Sequence, residues 1–410
     1  MEIPGIPVDL LGTLQQAAQV LGVQRLALVG GAVRDGLIHQ VHHDSWRGSP
    51  DLDFVLEGSS AEFAVYLREN LREGRITELL EHNAFGTVEI VLDGVRIDIA
   101  QARKELYPAP AENPRVEPGC LEDDLVRRDF TINAMALVLT SAESAPELLD
   151  LHGGQEDLAA RQLNFLHSNS VTDDPTRVVR GARYAARLDF SLALEAREQV
   201  RCTVEEWPWH WRPGDCLDSV PPALGTRLRM EMELLFIHEP WRAALASLQS
   251  WGALPLFDQQ LQGDRQLIRR LHWAERLNVP LLCVLAAASG TPQGFARRLQ
   301  LPLQQQRRID QWMSLRNWML EHVLPHAWQH WSPAEWSSRL ESQAWSADVV
   351  ALEVALIGPC WRPMLRWWGR WRHVNSPLTA RELLDRGMPA GPEIGRLLRE
   401  ARLQALESYR

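Results

Sequence analysis

Two aspartates separated by one residue are the first candidates for chemistry in this sequence. Asp51 and Asp53 precede an apolar run, and residues two apart in a strand point to the same face. Their carboxylates can therefore bind one or two hard cations, and Mg²⁺ prefers such oxygen ligands. Two such ions activate an attacking hydroxyl and stabilise a leaving pyrophosphate. An isolated pair of this kind is more often a solvated turn or strand edge.

A glycine pair and a nearby arginine offer a place for phosphate. Gly30 and Gly31 follow a short apolar run, and adjacent glycines let the backbone approach a ligand closely. If a helix begins there, its free N–H groups form an anion site suited to a triphosphate. Arg34 then either contacts phosphate or pairs structurally with Asp35.

Polar residues further along the chain extend this candidate site. Arg128, Asp129 and Asn133 alternate with apolar residues, and together they could hold a ribose and phosphates. Asp98 stands between two isoleucines, where burial is costly unless the acid is paired or bound to metal. It is a weaker third acid, because strand alternation could simply turn it towards solvent.

The elements that must position these residues are mixed at first and helical later. The periodicity predicts a helix over residues 10–21. It predicts strands at 26–29, 52–56, 86–92 and 95–100. Asp93-Gly94 is typical of a tight hairpin turn. From about residue 150 onward, helical periodicity dominates.

Composition limits the class of protein. A chain of 410 residues predicts two to four domains, and 45% hydrophobic with 23% charged residues is typical of a globular protein. No apolar run predicts a membrane span, and residues 1–10 predict no secretion signal. The five scattered cysteines indicate neither zinc nor disulfides and fit a reducing cytoplasm. The net charge of −10 argues mildly against nucleic acid, although it says little about local patches.

Tryptophan is concentrated in the second half. Sixteen of the 17 tryptophans follow residue 200. Such rings can serve as stacking platforms for RNA bases. Core and interhelix packing is the better interpretation for most of them.

The ordered motifs together resemble one family. The glycine turn at 30–35, the Asp-x-Asp at 51–53 and the Arg-Arg-Asp-Phe-Thr-x-Asn-Ala at 127–134 resemble the class II tRNA nucleotidyltransferases (CCA-adding enzymes) and the bacterial poly(A) polymerases. The resemblance continues at residues 150–154, 173–184 and 391–398.

This resemblance implies an α+β fold with a polymerase-beta-like head containing a mixed sheet, followed by all-α neck, body and tail domains. The implied boundaries are residues 1–140 for the catalytic head, 141–240 for the neck and 241–410 for the body and tail that bind tRNA. In the head, Asp51 and Asp53 would hold Mg²⁺ beside the triphosphate.

Asp174 and Arg177 match the base-reading pair of the family. A carboxylate accepts from an exocyclic amine and a guanidinium donates to a ring nitrogen or carbonyl. On their Watson–Crick edges, cytosine and adenine offer an amine beside an acceptor, whereas O6 of guanine or O4 of uracil would present a second acceptor to the carboxylate. The spacing i, i+3 predicts both side chains on one helix face. Arg180 continues that face and is expected to reach triphosphate, while Arg183 is expected to be structural.

The implied activity is addition of C and A from CTP and ATP to the 3′ acceptor end of tRNA. CC-only or A-only addition, poly(A) synthesis and a non-catalytic RNA-binding role remain open. Residues 83–89 lack a basic pair that poly(A) polymerases typically carry, which favours tRNA. The oligomeric state is not indicated.

Three segments depart from the family pattern or have two interpretations. Residues 36–50 are interpreted as a surface insertion. Residues 104–120 align with a flexible loop of the family, although a plain connecting loop is the simpler account. In residues 225–233, a threonine precedes the arginine where the family commonly has glutamate.

Overall fold

The computed structural model describes residues 4, 6–45, 51–82, 86–140, 146–343 and 345–409. The chain divides into two compact units. The first unit comprises residues 1–212 and 221–253, and the second comprises residues 213–220 and 254–410. Within the described ranges, no helix is both long enough and apolar enough to cross a membrane. The division into head, neck, body and tail stays a prediction.

The first unit contains a seven-stranded mixed sheet and two small two-stranded sheets. The strands are β1 Leu26–Val29, β2 Leu52–Leu56, β3 Ile76–His82, β4 Thr87–Leu92, β5 Val95–Gln101, β6 Arg103–Leu106, β7 Arg115–Pro118, β8 Met135–Val138, β9 Glu147–Asp150, β10 Gln162–Leu163 and β11 Ser191–Leu192. The large sheet has the order β3-β4-β5-β2-β1-β8-β9. Strands β2 and β5 pair in parallel, and the other neighbours in this sheet pair antiparallel.

Helices flank this sheet in the first unit, and the regular elements described in the second unit are all helical. The helices of the first unit are α1 Val8–Leu21, α2 Gly31–His42, α3 Ser60–Asn70, α4 Leu121–Val126, α5 Gly154–Ala159, α6 Ser170–Asp173, α7 Thr176–Leu188, α8 Leu194–Glu206, α9 Thr226–His238 and α10 Trp241–Ser250. Those of the second unit are α11 Gln259–Gln262, α12 Leu267–Arg276, α13 Leu281–Ala288, α14 Pro292–Arg298, α15 Leu303–His322, α16 Pro333–Ser342, α17 Ala347–Ala355, α18 Trp361–Gly369, α19 Ala380–Asp385 and α20 Pro392–Glu407. Short 3-10 turns occur at Thr131–Asn133, Leu217–Ser219, Pro222–Leu224, Leu254–Leu256, Trp328–His330 and Trp371–His373.

Local sequence accounts for the elements that lead into the sheet. Helix α1 buries Leu10, Leu14 and Ala18, as the helical period of its apolar residues predicts. It ends at Gly22, whose φ of 65° is the left-handed conformation that commonly closes a helix. The predicted helix over 10–21 is confirmed.

The predicted hairpin is also confirmed. Strands β4 and β5 are joined at Asp93 and Gly94, with φ values of 52° and 80°. Two positive φ values suit a tight turn whose twist matches the strands. The predicted strands at 26–29 and 52–56 coincide with β1 and β2.

Helix α2 extends into the segment interpreted as an insertion. It continues to His42, and Leu37 and Ile38 are buried. A ring nitrogen of His42 lies 2.9 Å from the carbonyl oxygen of Leu158. The interpretation of residues 36–50 as a surface insertion is therefore wrong for residues 36–42, because their apolar side chains continue the packed face of α2. Residues 46–50 lie outside the described residues.

A hydrophobic core links the sheet to α4. Its buried members are Ala27, Val29, Val55, Ala102, Leu121, Leu125, Ala134, Ala136 and Val138. Phe130 and Ile132, predicted as core positions, are fully buried. Buried apolar residues thus pack before and after the polar segment 127–133, and this packing fixes the backbone that carries its charged side chains.

Candidate active site

A left-handed glycine at the end of β1 opens the site. Gly30 has φ 69° and ψ −132°, a conformation that favours glycine. Helix α2 begins at Gly31, and the amide of Arg34 donates to the carbonyl of Gly30 at 3.1 Å. A Cβ atom at Gly30 would lie 3.2 Å from Nη1 of Arg128 and 3.5 Å from Oδ2 of Asp53. The turn therefore lies against charged groups, where the first N–H groups of α2 are suited to an anion.

Two of the candidate acids stand side by side. Asp53 on β2 and Asp98 on β5 are register partners in the parallel pair, so they share a face of the sheet. Burial raises the pKa of Asp53 to about 6 against the opposing charge of Arg128, and the charges of Asp98 and Asp51 add to the rise. Asp51 lies just before β2 and is exposed. The three aspartates thus form one region of concentrated negative charge.

Asp98 is placed where a third acid would be useful. One of its carboxylate oxygens is buried without a hydrogen-bond partner among the described residues. Burial raises the pKa of Asp98, and the carboxylates of Glu89 and Asp51 raise it further. An orphaned carboxylate oxygen is costly unless a cation or water reaches it. Its position fits metal binding better than a solvent-facing role, and the role itself stays a prediction.

A tighter cluster of ligand atoms lies elsewhere. Among the described residues, three potential ligand atoms come within 4.8 Å of one another at Glu57, Cys120 and Glu122. Arg25 pairs with the two glutamates at 3.1 and 2.5 Å, so part of their negative charge is already compensated. The aspartates of the site are set further apart. Such an arrangement suits Mg²⁺, which keeps waters and substrate phosphates as its other ligands.

A buried aspartate positions the arginine beside the glycine turn. Asp124 is fully buried and accepts from Arg127 at 2.6 Å and from Arg128 at 2.9 Å. Burial alone would raise the pKa of Asp124, but the two guanidinium groups hold it below its usual value. The ionised carboxylate therefore fixes Arg128 next to the candidate metal ligands.

Four predicted nucleotide-binding residues are linked by hydrogen bonds and one ion pair. Arg34 donates to Asp35 and to Asn133, both at 2.8 Å. Asn133 donates to Asp129 at 2.9 Å, and Arg180 pairs with the other oxygen of Asp129 at 3.4 Å. Each polar group orients the next, so the chain is preorganised before any ligand arrives.

Asp174 and Arg177 do not share a helix face, contrary to the prediction. Asp174 lies between α6 and α7 with an extended backbone, φ −143° and ψ 90°, because a residue before proline is disfavoured in the helical region. Pro175 precedes α7, and Arg177 lies in its first turn. The backbone N–H and the hydroxyl of Thr176 donate to Asp174 at 3.1 and 2.5 Å. Asp174 therefore caps the start of the helix that carries Arg177.

Arg227 is a residue that the sequence analysis missed. Its Nη2 lies 2.5 Å from Oδ2 of Asp174, and Arg180 approaches the same oxygen at 3.3 Å. Burial would raise the pKa of Asp174, but Arg180 and Arg227 hold it below its usual value. Segment 225–233 departs from the family pattern, and that was the available signal. Arg183 is structural, as predicted, since it pairs with Glu231 at 2.6 Å.

The segment predicted as a flexible or plain loop is a hairpin. Strands β6 and β7 pair antiparallel, so residues 104–120 are largely ordered. Glu105 pairs with Arg127 at 3.2 Å, which ties the hairpin to the arginine held by the buried aspartate. Tyr107 lies on the same segment and lines the site.

The far end of this hairpin is fixed by backbone hydrogen bonds. Ala111 is fully buried and has φ 64°. Its N–H donates to the carbonyl of Asp173, and its carbonyl accepts from the N–H of Ala223, both at 3.1 Å. The tip is therefore attached to the residue that precedes Asp174.

These side chains converge on a cavity of about 680 Å³ in the first unit. Every residue predicted to bind metal or nucleotide lines this cavity except Asp98. The lining residues that the sequence analysis did not single out include Arg103, Glu105, Tyr107, Tyr184, Arg187 and Arg227. Carboxylates at one place and several guanidinium groups around it suit a triphosphate with divalent cations.

Residues 26–164 match the family model described as the Poly A polymerase head domain. The chain is also similar to curated proteins with tRNA-processing names. It is 40% identical over 229 residues to a CC-adding tRNA nucleotidyltransferase of Deinococcus radiodurans, covering 56% of this chain and 54% of that protein. It is 35% identical over 248 residues to an A-adding tRNA nucleotidyltransferase of Aquifex aeolicus, covering 60% of this chain and 27% of that protein. The chain thus spans about half or less of the length of these relatives, and the predicted resemblance is confirmed.

Solved structures share the fold over nearly the whole chain. An apo form of CCA-adding enzyme has a TM-score of 0.73 at 22% identity, with 99% of this chain and 94% of that chain covered. The Thermotoga maritima CCA-adding enzyme complexed with tRNA has a TM-score of 0.67 at 21% identity, with 100% and 94% covered. The predicted α+β class, with a mixed sheet in the head, is confirmed. Residues 83–85, part of the segment that separates this chain from poly(A) polymerases, lie outside the described residues.

Proposed function

We propose that this chain is a tRNA nucleotidyltransferase that adds C and A from CTP and ATP to the 3′ acceptor end of tRNA. The observation that carries the proposal is the cavity shared by Asp51 and Asp53, the glycine turn and the pair Asp174 and Arg177. A triphosphate, divalent cations and a base-reading pair are the parts that template-independent nucleotide addition requires. The names of the relatives support the same reaction.

The acids and arginines divide the work of phosphoryl transfer. Asp51 and Asp53 would hold Mg²⁺, with Asp98 beside them; a bound ion would supply the positive charge that activates the attacking hydroxyl and stabilises the leaving pyrophosphate. Arg34 and Arg128 hold the triphosphate against the start of α2. The terminal tRNA hydroxyl attacks the α-phosphorus in line, a new P–O bond forms, the bond to pyrophosphate breaks, and the hydroxyl proton passes to solvent. Positioning and charge neutralisation supply most of the rate.

Base choice rests on the carboxylate of Asp174. It stays ionised and accepts from the exocyclic amine of cytosine or adenine, while Arg177 donates to the adjacent acceptor. In the free protein the same carboxylate is engaged by Arg180 and Arg227. An incoming amine therefore competes with these arginines, whereas the carbonyl oxygen of guanine or uracil would meet a second acceptor.

A CC-adding enzyme is a second candidate for the same site. The 40% identical relative carries that name, and the A-adding relative is 35% identical.

The proposed division of the chain is the same for both candidates. Residues 1–140 act as the catalytic head, 141–240 as the base-selecting neck and 241–410 as the tRNA-binding body and tail. We place the reaction in the cytoplasm, since the five cysteines are all free.

Incorporation of labelled nucleotide tests the proposal. Three tRNA substrates, ending at the discriminator base, at C and at CC, are each offered labelled CTP or ATP with Mg²⁺. We expect CTP on the first two, and ATP on the third only if the enzyme completes CCA. Asp53→Asn should abolish incorporation, whereas Asp9→Asn on the exposed face of α1 should not. Label from ATP alone on unrelated RNA would indicate poly(A) synthesis, and no incorporation on any substrate would indicate a binding protein.

A second experiment tests the base-reading pair. Asp174→Asn replaces one acceptor oxygen by an amide donor. We expect the preference for CTP and ATP over UTP and GTP to fall at least tenfold, measured as ratios of kcat/KM. Circular dichroism must show that the variant keeps the helix content of the wild type, because Asp174 also accepts hydrogen bonds at the start of α7. Unchanged discrimination among the four triphosphates in a folded variant would contradict the assignment.

A further inference from the structure

A cleft of about 240 Å³ in the second unit is lined mainly by tryptophan. The five rings belong to Trp328, Trp331, Trp336, Trp361 and Trp371. They come from two 3-10 turns, from α16 and α18, and from the residue that directly follows the first of these turns. These rings belong to the tryptophan-rich half of the chain, and the catalytic proposal leaves them unused.

Core packing explains only part of the cleft. Trp336 and Trp371 are 2% and 6% exposed and form its floor. The ring centroid of Trp336 lies 5.1 Å from that of Trp331 and 6.2 Å from that of Trp328, and both pairs pack edge to face. Trp328, Trp331 and Trp361 are only half-buried. Large rings held rigidly with part of their surface in water are typical of a contact surface for a ligand.

The rim of the cleft is positive. Arg362 and Arg366 lie four residues apart on α18 and are exposed, and no salt bridge to either is found in the part of the chain that the structure describes. The guanidinium of Arg339 lies 4.1 Å from the ring centroid of Trp331. That of Arg362 lies 5.1 Å from the centroid of Trp361.

An acid on α16, the helix that carries Trp336, is already engaged by other groups. Glu341 accepts from Arg402 at 2.6 and 2.9 Å and from the indole N–H of Trp367 at 3.0 Å. Among the described residues, no carboxylate lines the cleft. In a chain with a net charge of −10, a cluster of exposed arginines and aromatic rings is a local reversal of charge.

We propose that this cleft binds an unstacked nucleobase of the RNA substrate, with the flanking phosphates on Arg362 and Arg366. Aromatic rings stack on any base, and arginine forks bind phosphate while also stacking. The proposal deepens the proposed function, because it assumes that the polymer acted on is RNA. A proline-rich peptide also fits tryptophan grooves, but such a peptide gives the exposed arginines no anionic partner.

Binding of fluorescently labelled tRNA to the full chain, measured by anisotropy over a range of salt, tests the arginines. The double variant Arg362→Ala and Arg366→Ala should weaken binding at least tenfold. The slope of log affinity against log salt should fall by roughly 1.4, which is about 0.7 for each of the two single-strand phosphates that the variant no longer binds. The matched control, Arg265→Ala and Arg269→Ala, removes two exposed arginines at the same spacing from another part of the second unit.

A pair of tryptophan variants tests stacking separately from charge. Trp328→Ala removes a half-buried ring, and Trp328→Phe keeps a smaller aromatic face. We expect Ala to weaken binding by roughly 5- to 100-fold, the effect of losing one stacked base, and Phe to weaken it much less. If Trp328→Ala unfolds, as its melting curve would reveal, the arginine variants still decide the matter.

The outcomes separate this inference from the proposed function. Equal losses in the two arginine pairs, or no loss in either, would overturn the cleft as a site. Cleft-dependent binding of a proline-rich peptide with unchanged tRNA affinity would overturn it too. A wild-type protein that incorporates no nucleotide, yet binds tRNA through the cleft, would refute the catalytic proposal and support the cleft. An active enzyme whose cleft variants bind tRNA normally would refute the cleft alone.

Discussion

The acid at the centre of the site should lower the stability of the metal-free fold. Burial and neighbouring charge raise the pKa of Asp53 from 3.8 to about 6, a rise of about 2.2 pKa units. At 1.36 kcal/mol per unit, ionising Asp53 in the folded state costs about 3 kcal/mol, and part exposure to water makes this an upper value. Because the folded pKa lies above the unfolded pKa, the folded state is favoured below pH 4 and loses this stability as the pH rises through 6.

Asp53→Asn removes the charge with little change in shape. We therefore expect the variant to be inactive and, in EDTA at pH 8, up to about 3 kcal/mol more stable than wild type. Chemical denaturation followed by circular dichroism measures the difference, which should vanish near pH 4. Mg²⁺ with nucleotide should raise the melting temperature of wild type and not of the variant. Asp51→Asn, at an exposed position, serves as control and should change stability little. Equal or lower stability of the Asp53→Asn variant at pH 8 would refute the reasoning.

Three further changes test the frame of the site. Gly30→Ala should raise the KM for CTP at least tenfold while circular dichroism stays unchanged. A φ of 69° is strained for alanine, and the added Cβ would lie beside Arg128, where the triphosphate is proposed to bind. An unchanged KM would show that the turn does not touch nucleotide. Asp124→Asn should destabilise the fold by about 3 kcal/mol in urea at pH 7, since the partly buried guanidinium groups of Arg127 and Arg128 lose the carboxylate that they share. Its pKa is lowered in the fold, so this difference should shrink as the pH falls below 4, and a constant difference would argue against the pairing. Gly181→Ala should lower the melting temperature, because its Cβ would lie 2.9 Å from a ring carbon of Phe130, whereas Gly369→Ala meets nothing within 4 Å and should not.

The parts of the site that depend on local sequence were predictable. The apolar run next to the glycine pair predicts a strand that leads into the turn at Gly30, whereas the helix that follows the turn was only a condition of the anion site. The acids Asp51 and Asp53 were identified by a spacing of two. The hairpin at Asp93-Gly94 was predictable for the same reason, since its turn chemistry is contained in two residues.

Contacts between distant segments were not predictable. Strand β3 was missed because most of its residues are exposed, so no alternation marks it. The pairing of Asp53 with Asp98 depends on the parallel register of β2 and β5, which no periodicity encodes. Arg227 donates a hydrogen bond to Asp174, which lies 53 residues earlier in the sequence. Asp174 itself was wrongly placed on a helix because the spacing of three was given more weight than the proline that follows it.

The attachment of the β6–β7 tip has a consequence for where this chain can vary in length. Surface turns usually accept inserted residues without harm. Here Ala111 forms backbone hydrogen bonds with Asp173 on one side and with Ala223 on the other. An extra residue at the tip would therefore displace Asp173, the residue before Asp174. Lengthening this hairpin should therefore alter which base is accepted before it alters folding, and natural variation in chain length is expected to avoid the tip.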